Sequence, residues 1–177
     1  MPLTLRTRVA LVIHKREITR PTNTGRLSSL AFTNTSILVR GYQDAPADLS
    51  VLSSPDRRTL LLFPRDDART LTTELLAEDE RPVTLIVPDG NWGQARRCVQ
   101  REQVMLDAEA VIPPAGLPTQ YLLRKEHVLG GLATAEAIGR AMRILEGDAA
   151  GQKIEDLFHE KVRRSIARRP GGLPPQR

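Results

Sequence analysis

Three short apolar runs punctuate the chain: Val9-Ala-Leu-Val-Ile13, Thr59-Leu-Leu-Leu-Phe63 and Val83-Thr-Leu-Ile-Val87. None alternates with polar residues, so each predicts a strand buried on both faces, as in the interior of a parallel sheet. Ser36-Ile-Leu-Val39, closed by Gly41, predicts a weaker strand, and Tyr121-Leu-Leu-Arg124 another. Between these runs, helical patterns occupy residues 25–34, 68–76, 92–104 and 134–146, the last with Ile138, Met142 and Leu145 on one face. A final helix over about 152–168 sets Ile154, Leu157, Phe158, Val162 and Ile166 on one stripe. Lys161, Arg163, Arg164, Arg168 and Arg169 lie off that stripe and form a basic face. Strands alternating with helices predict an α/β fold, a mainly parallel sheet flanked by helices. No repeat or long linker divides the chain, so residues 1–169 read as one domain, and the Pro/Gly-rich stretch 170–177 reads as a disordered tail.

Composition narrows the class. A chain of 177 residues buries roughly 70% of the surface its unfolded form exposes and needs no metal or disulfide to fold. Its single cysteine, Cys98, excludes an internal disulfide framework and a multi-cysteine zinc site, and agrees with a reducing, cytoplasmic location. The run Val9–Ile13 is too short to span a membrane and lacks a signal-peptide cleavage pattern, so a soluble intracellular protein is expected. The formal charge of +5 and the pI near 10.0 point to a polyanionic partner such as nucleic acid. With aromatics at only 3% of residues, a broad base-stacking surface is excluded, and any RNA is held mainly by arginines.

Candidate chemistry concentrates in three segments. Pro88-Asp-Gly-Asn-Trp-Gly-Gln-Ala-Arg96 follows a strand and opens a helix, the place where open α/β sheets bind ligands. Asn91 is a good N-cap, and Gln94 can complete a capping box. Asp89 and Trp92 are not needed for the cap, so a carboxylate beside an indole there suits a general base; a turn aspartate and a core tryptophan are the structural alternative. The loop from His14 to Arg26 mixes hydroxyl, amide and guanidinium donors, and Thr22, Asn23 or Thr24 can cap the following helix with its amides toward an anion. His14 at a strand end also suits a purely structural role, and solvated side chains are the equal alternative for Arg20 and Arg26. Gly130-Gly131-Leu132-Ala133-Thr134-Ala135-Glu136 allows a tight bend before a helix, with Glu136 in the first turn where the helix dipole favours it. No GxGxxG, P-loop or GxSxG pattern and no metal-ligand cluster is present in the sequence.

In this order, His14–Glu17, Thr22-Asn-Thr-Gly-Arg-Leu27, Pro88–Arg96, Tyr121–Arg124 and Leu132-Ala-Thr-Ala-Glu-Ala137 resemble the DTW-domain family of tRNA-uridine aminocarboxypropyltransferases. The resemblance implies a SPOUT-like core with a C-terminal knot and transfer of the 3-amino-3-carboxypropyl group of S-adenosylmethionine (SAM) to N3 of a uridine in tRNA, releasing methylthioadenosine. It implies that Asp89 deprotonates or orients the imide and that Trp92 packs beside the aminocarboxypropyl arm. By the same resemblance, Thr24, Val87, Leu122 and Leu132 to Thr134 enclose SAM. Arg20, Arg26, Arg96, Arg97 and Arg124, with the basic side of the last helix, would hold RNA. Asn91 stands where the namesake Asp-x-Thr-Trp motif has threonine, which keeps the cap but excludes catalysis by that hydroxyl. The cysteine cluster of many members is absent, so no metal is expected. A SPOUT-like RNA methyltransferase, an rRNA aminocarboxypropyltransferase and a non-catalytic RNA-binding module are the alternatives.

Overall fold

A computed structural model describes residues 1–42, 44, 47–116 and 131–167. Six strands form one sheet: β1 (Arg8–His14), β2 (Thr35–Arg40), β3 (Arg58–Leu62), β4 (Arg69–Thr70), β5 (Val83–Asp89) and β6 (Glu109–Ile112). Their order is β2-β1-β5-β3-β6-β4, and every pairing is parallel. The helices are α1 (Ser28–Ala31), α2 (Thr73–Ala77), α3 (Trp92–Arg101), α4 (Gln103–Asp107), α5 (Thr134–Glu146) and α6 (Asp148–Ala167).

Both faces of the sheet are covered, which is why its central strands carry unbroken apolar runs. Val9 and Leu11 of β1 and Leu85 and Val87 of β5 face a layer containing Ile138 and Met142 of α5 and Ile154 and Phe158 of α6. Ala10, Val12, Leu61 and Ile86 face the opposite layer, built on Cys98 and Val99 of α3 and Met105 of α4. Full burial of side chains of this size contributes about 1.5–3 kcal/mol each. Cys98 is buried there, and burial raises its thiol pKa, so it is a packing residue.

Several predicted elements take a different form. The helix expected over 25–34 is a 3₁₀ turn, Gly25–Leu27, followed by the four-residue α1. The Ser28 and Ser29 hydroxyls bond back to the Gly25 and Arg26 carbonyls at 2.8 Å each, a local alternative to helix extension. The helix expected over 68–76 starts late, because Arg69 and Thr70 pair with Val111 and Ile112 as an edge strand. Thr72 then caps α2 by accepting the Leu75 N–H at 3.2 Å. The helix expected over 92–104 breaks at Glu102, whose extended backbone separates α3 from α4 and whose carboxylate pairs with Arg40 of β2. Strand β6 was not predicted at all. Its Glu109 is held by Arg58, which donates to Glu109 Oε2 through Nε at 3.0 Å and to the Leu75 carbonyl through Nη1 at 2.8 Å. The strand expected at 121–124, the tail at 170–177, and the path of residues 117–130, on which the implied knot turns, lie outside the described residues.

The topology fixes where a ligand can sit. The connection leaving β1 runs to β2 on one side, and the connection leaving β5 runs toward β6 on the other. Adjacent strands whose exits diverge open a crevice at their carboxyl ends. Ile13 lies opposite Asp89 in the β1–β5 register, so the crevice opens between His14 and Asp89.

Candidate active site

Strand periodicity aims Asp89. Leu85 and Val87 point toward α5 and α6, so Asp89, two residues further on, faces the same way at the lip of the sheet. Asp89 is 6% exposed, and its carboxylate is gripped from two elements. Asn23 Nδ2, from the loop after β1, donates to Asp89 Oδ2. The Thr134 hydroxyl, from the first residue of α5, donates to Asp89 Oδ1 at 2.6 Å.

Both donors are themselves held. Asn23 uses the other end of its amide, Oδ1, to accept the Arg26 N–H at 3.2 Å. Thr134 does not cap α5, because that position is Ala133, whose N–H donates to Glu136 Oε2 at 2.8 Å. The hydroxyl is therefore available to the aspartate. The Thr24 Oγ1 accepts the Ala135 N–H at 3.3 Å, tying the loop after β1 to the first turn of α5. Asn23 and Thr24 are both buried. Gly25 packs directly on the carboxylate: a Cβ there would stand 2.8 Å from Asp89 Oδ2 and 2.8 Å from Leu11 Cδ1.

The start of α3 is built as its sequence predicts. The Asn91 side chain accepts the Gln94 N–H at 2.8 Å, and Gln94 Oε1 accepts the Asn91 N–H at 2.9 Å. A threonine keeps the first of these bonds and an alanine loses it. We therefore expect Asn91→Ala to cost about 1 kcal/mol and Asn91→Thr to be near neutral, as measured by urea unfolding. His14 sits against the far end of Gln94, its Nδ1 lying 3.4 Å from Gln94 Nε2 and accepting the Arg16 N–H at 3.2 Å. Burial lowers its pKa below the ordinary histidine value; nearby Arg16, Lys15 and Arg97 act in the same direction and Glu17 opposes them.

Trp92 departs from the structural alternative of a core residue. It is 40% exposed, and its ring packs on Phe63 at the end of β3, with centroids 6.0 Å apart and planes tilted by 55°. The remaining expected residues divide. Thr24, Thr134 and Asp89 are brought together in one cluster, with half-buried Leu132 shortly before α5. The Val87 side chain is buried in the core, two residues before Asp89 on β5. Arg20 pairs with buried Glu17 at 3.3 Å, and Arg26 donates to the Ile18 carbonyl at 2.8 Å. Arg96 and Arg97 are exposed on α3. Leu122 and Arg124 lie outside the described residues. Sequence reading placed Asn23 among possible helix caps and left Gly25 out of the site; both contact the carboxylate.

A family model described as the DTW domain matches residues 1–166. A tRNA-uridine aminocarboxypropyltransferase 2 from Mus musculus is 26% identical over 149 residues, 82% of this chain and 50% of that protein. Its namesake from Macaca fascicularis is 30% identical over 88 residues, 50% of this chain and 30% of that protein. The chain thus spans half or less of the length of these curated relatives. Among solved structures, the SAM-dependent rRNA:acp-transferase Tsr3 from Vulcanisaeta distributa shares the fold with a TM-score of 0.51 at 15% identity, covering 90% of this chain and 77% of that one.

Proposed function

Because this chain belongs to the DTW-domain family, we propose that it transfers the 3-amino-3-carboxypropyl group of SAM to N3 of a uridine in tRNA. The observation that carries this reading is the Asp89 carboxylate, held by Asn23 and Thr134 at the crevice between β1 and β5. The curated relatives, named as tRNA-uridine aminocarboxypropyltransferases, support the reaction and the acceptor class.

In the reaction, uridine N3 attacks the γ-carbon of the methionine portion. The N3–Cγ bond forms, the Cγ–S bond breaks, and methylthioadenosine leaves with the sulfur electron pair. The imide proton passes to Asp89, whose oxygens Asn23 and Thr134 help to hold in one orientation. The same sulfonium carries a methyl group, so the outcome depends on which carbon faces the nucleophile. Asn23 and Thr24 bring buried polar groups to the carboxylate and to the first turn of α5, and half-buried, apolar Leu132 stands just before that turn in the chain. Thr24, the Val87 backbone, Leu122 and Leu132 to Thr134 enclose SAM, and Trp92 packs beside the transferred arm. Arg20, Arg26, Arg96, Arg97 and Arg124 hold the RNA. The active unit is residues 1–169, working in the cytoplasm.

Among the described residues, no helix is long and apolar enough to cross a membrane. The small-molecule product tests the reaction class. Incubation with SAM and unmodified tRNA is expected to release methylthioadenosine, detected by chromatography; release of S-adenosylhomocysteine instead would make the protein a methyltransferase.

A further inference from the structure

Two basic surfaces flank the crevice, and the structure distinguishes them. The α6 surface carries Lys161, Arg163 and Arg164 on the layer that packs against Val9, Leu11 and Leu85. The α3 surface carries Arg96 and Arg97 on the layer that packs against Ala10, Val12 and Ile86. They lie on opposite faces of one sheet, so a short RNA segment at the carboxyl edge engages one before the other.

Their charges are not equally available. Glu160 accepts from Arg163 Nε at 2.7 Å and from Arg164 Nε at 2.5 Å. Those two guanidinium groups pull the Glu160 carboxyl down to about 2, so the ionised carboxylate offsets one of their two charges; with Lys161 the α6 surface keeps a formal charge equal to that of Arg96 and Arg97, but two of its three cations are tied to Glu160. Arg96 and Arg97 form no ion pair among the described residues. The Arg97 guanidinium also folds back toward the helix start: its Nη1 is 3.3 Å from where a Cβ on Gly93 would stand. That places positive charge on the first turn of α3, the turn that also carries Trp92, and both Arg97 and Arg16, in the turn after β1, act electrostatically on His14 at the lip of the sheet. The same lip presents the exposed Trp92 ring backed by Phe63, two of only six aromatic side chains in the chain. Unpaired RNA bases stack on such rings while neighbouring cations meet the phosphates.

We propose that the RNA acceptor enters across the α3 face, with Arg16, Arg96 and Arg97 on its phosphates and an unpaired base beside the target uridine stacked on the Phe63–Trp92 ledge. Lys161, Arg163 and Arg164 of α6 then lie outside the RNA contact. This inference rests on the reading above that the substrate is RNA.

The test is binding of dye-labelled unmodified tRNA, followed by anisotropy without SAM over a series of salt concentrations. Arg96→Gln/Arg97→Gln is expected to weaken binding about ten-fold and to reduce the salt slope by about two. Lys161→Gln/Arg163→Gln/Arg164→Gln, which removes one charge more, is expected to change affinity by less than about two-fold. Thermal melts of both variants at the parent temperature exclude a folding effect. Trp92 is the sole tryptophan, and its emission is expected to change when tRNA binds the parent chain and to change less in Phe63→Leu. Equal or greater loss in the α6 variant, or Trp92 emission indifferent to tRNA, would overturn the proposal. Failure of the parent chain itself to bind tRNA would remove the RNA reading, and the proposal with it.

Discussion

Replacing Asp89 with asparagine is expected to lower aminocarboxypropyl transfer by about three orders of magnitude while leaving the chain folded and its SAM affinity close to that of the parent. The substitution preserves shape and removes charge. Asn23 Nδ2 can still donate to the new amide oxygen, and the Thr134 hydroxyl, which now donates to Oδ1, can rotate to accept from the new amide nitrogen. These two hydrogen bonds therefore survive, while the negative charge of the side chain and its capacity to take a proton are lost. Single-turnover transfer, together with calorimetric SAM binding, separates these effects. Parent-level turnover in Asp89→Asn would remove Asp89 from the mechanism.

Gly25→Ala is expected to be the most damaging single methyl group that can be added to the site. The glycine has no unusual backbone angle to satisfy, since only Gly41 and Gly147 have positive φ among the described residues. The constraint is space. A Cβ would stand 2.8 Å from the Asp89 Oδ2 and 2.8 Å from Leu11 Cδ1, and neither neighbour gives way easily. The carboxylate is anchored from two elements, and Leu11 is fully buried in the core. Overpacking of this kind costs about 1–3 kcal/mol, and displacing a positioned base by even a fraction of an ångström costs about ten- to a hundred-fold in rate. A double-mutant cycle isolates the contact. In an Asp89→Ala background one of the two close contacts is gone and only that with Leu11 remains, so Gly25→Ala should destabilise measurably less than in the parent. Strict additivity of the two unfolding free energies would show that the methyl is accommodated elsewhere.

The parts of the fold legible in the sequence are those where one physical requirement dominates. The runs in β1, β3 and β5 are unbroken because both faces of the sheet are covered, and α5 and α6 show a regular stripe because each buries one side. The cap at Asn91 and Gln94 is legible because its chemistry is entirely local. Elements whose stability comes from distant partners are not. Strand β6 begins with Glu109, which reads as a surface residue until Arg58, 51 residues away, is seen to hold it. Strand β4 has two residues and no pattern of its own, existing only through its pairing with β6. Among the site residues, Asp89 and Trp92 stand out by type and position after a strand. That they face different neighbours, one toward Asn23 and Thr134 and the other toward Phe63, follows from strand parity and helix phase, which only the assembled sheet displays. Asn23 is read from sequence as a cap because its carbonyl end performs that duty, while the amide nitrogen that binds Asp89 acts across 66 positions of chain.

The most direct test of the central claim is nucleoside mass spectrometry of tRNA incubated with the purified protein and SAM labelled in the methionine carbon chain. Labelled 3-(3-amino-3-carboxypropyl)uridine, absent when Asp89→Asn replaces the parent, is the predicted result. Nucleosides carrying only a methyl group, or unmodified tRNA recovered from a protein that binds SAM, would contradict it.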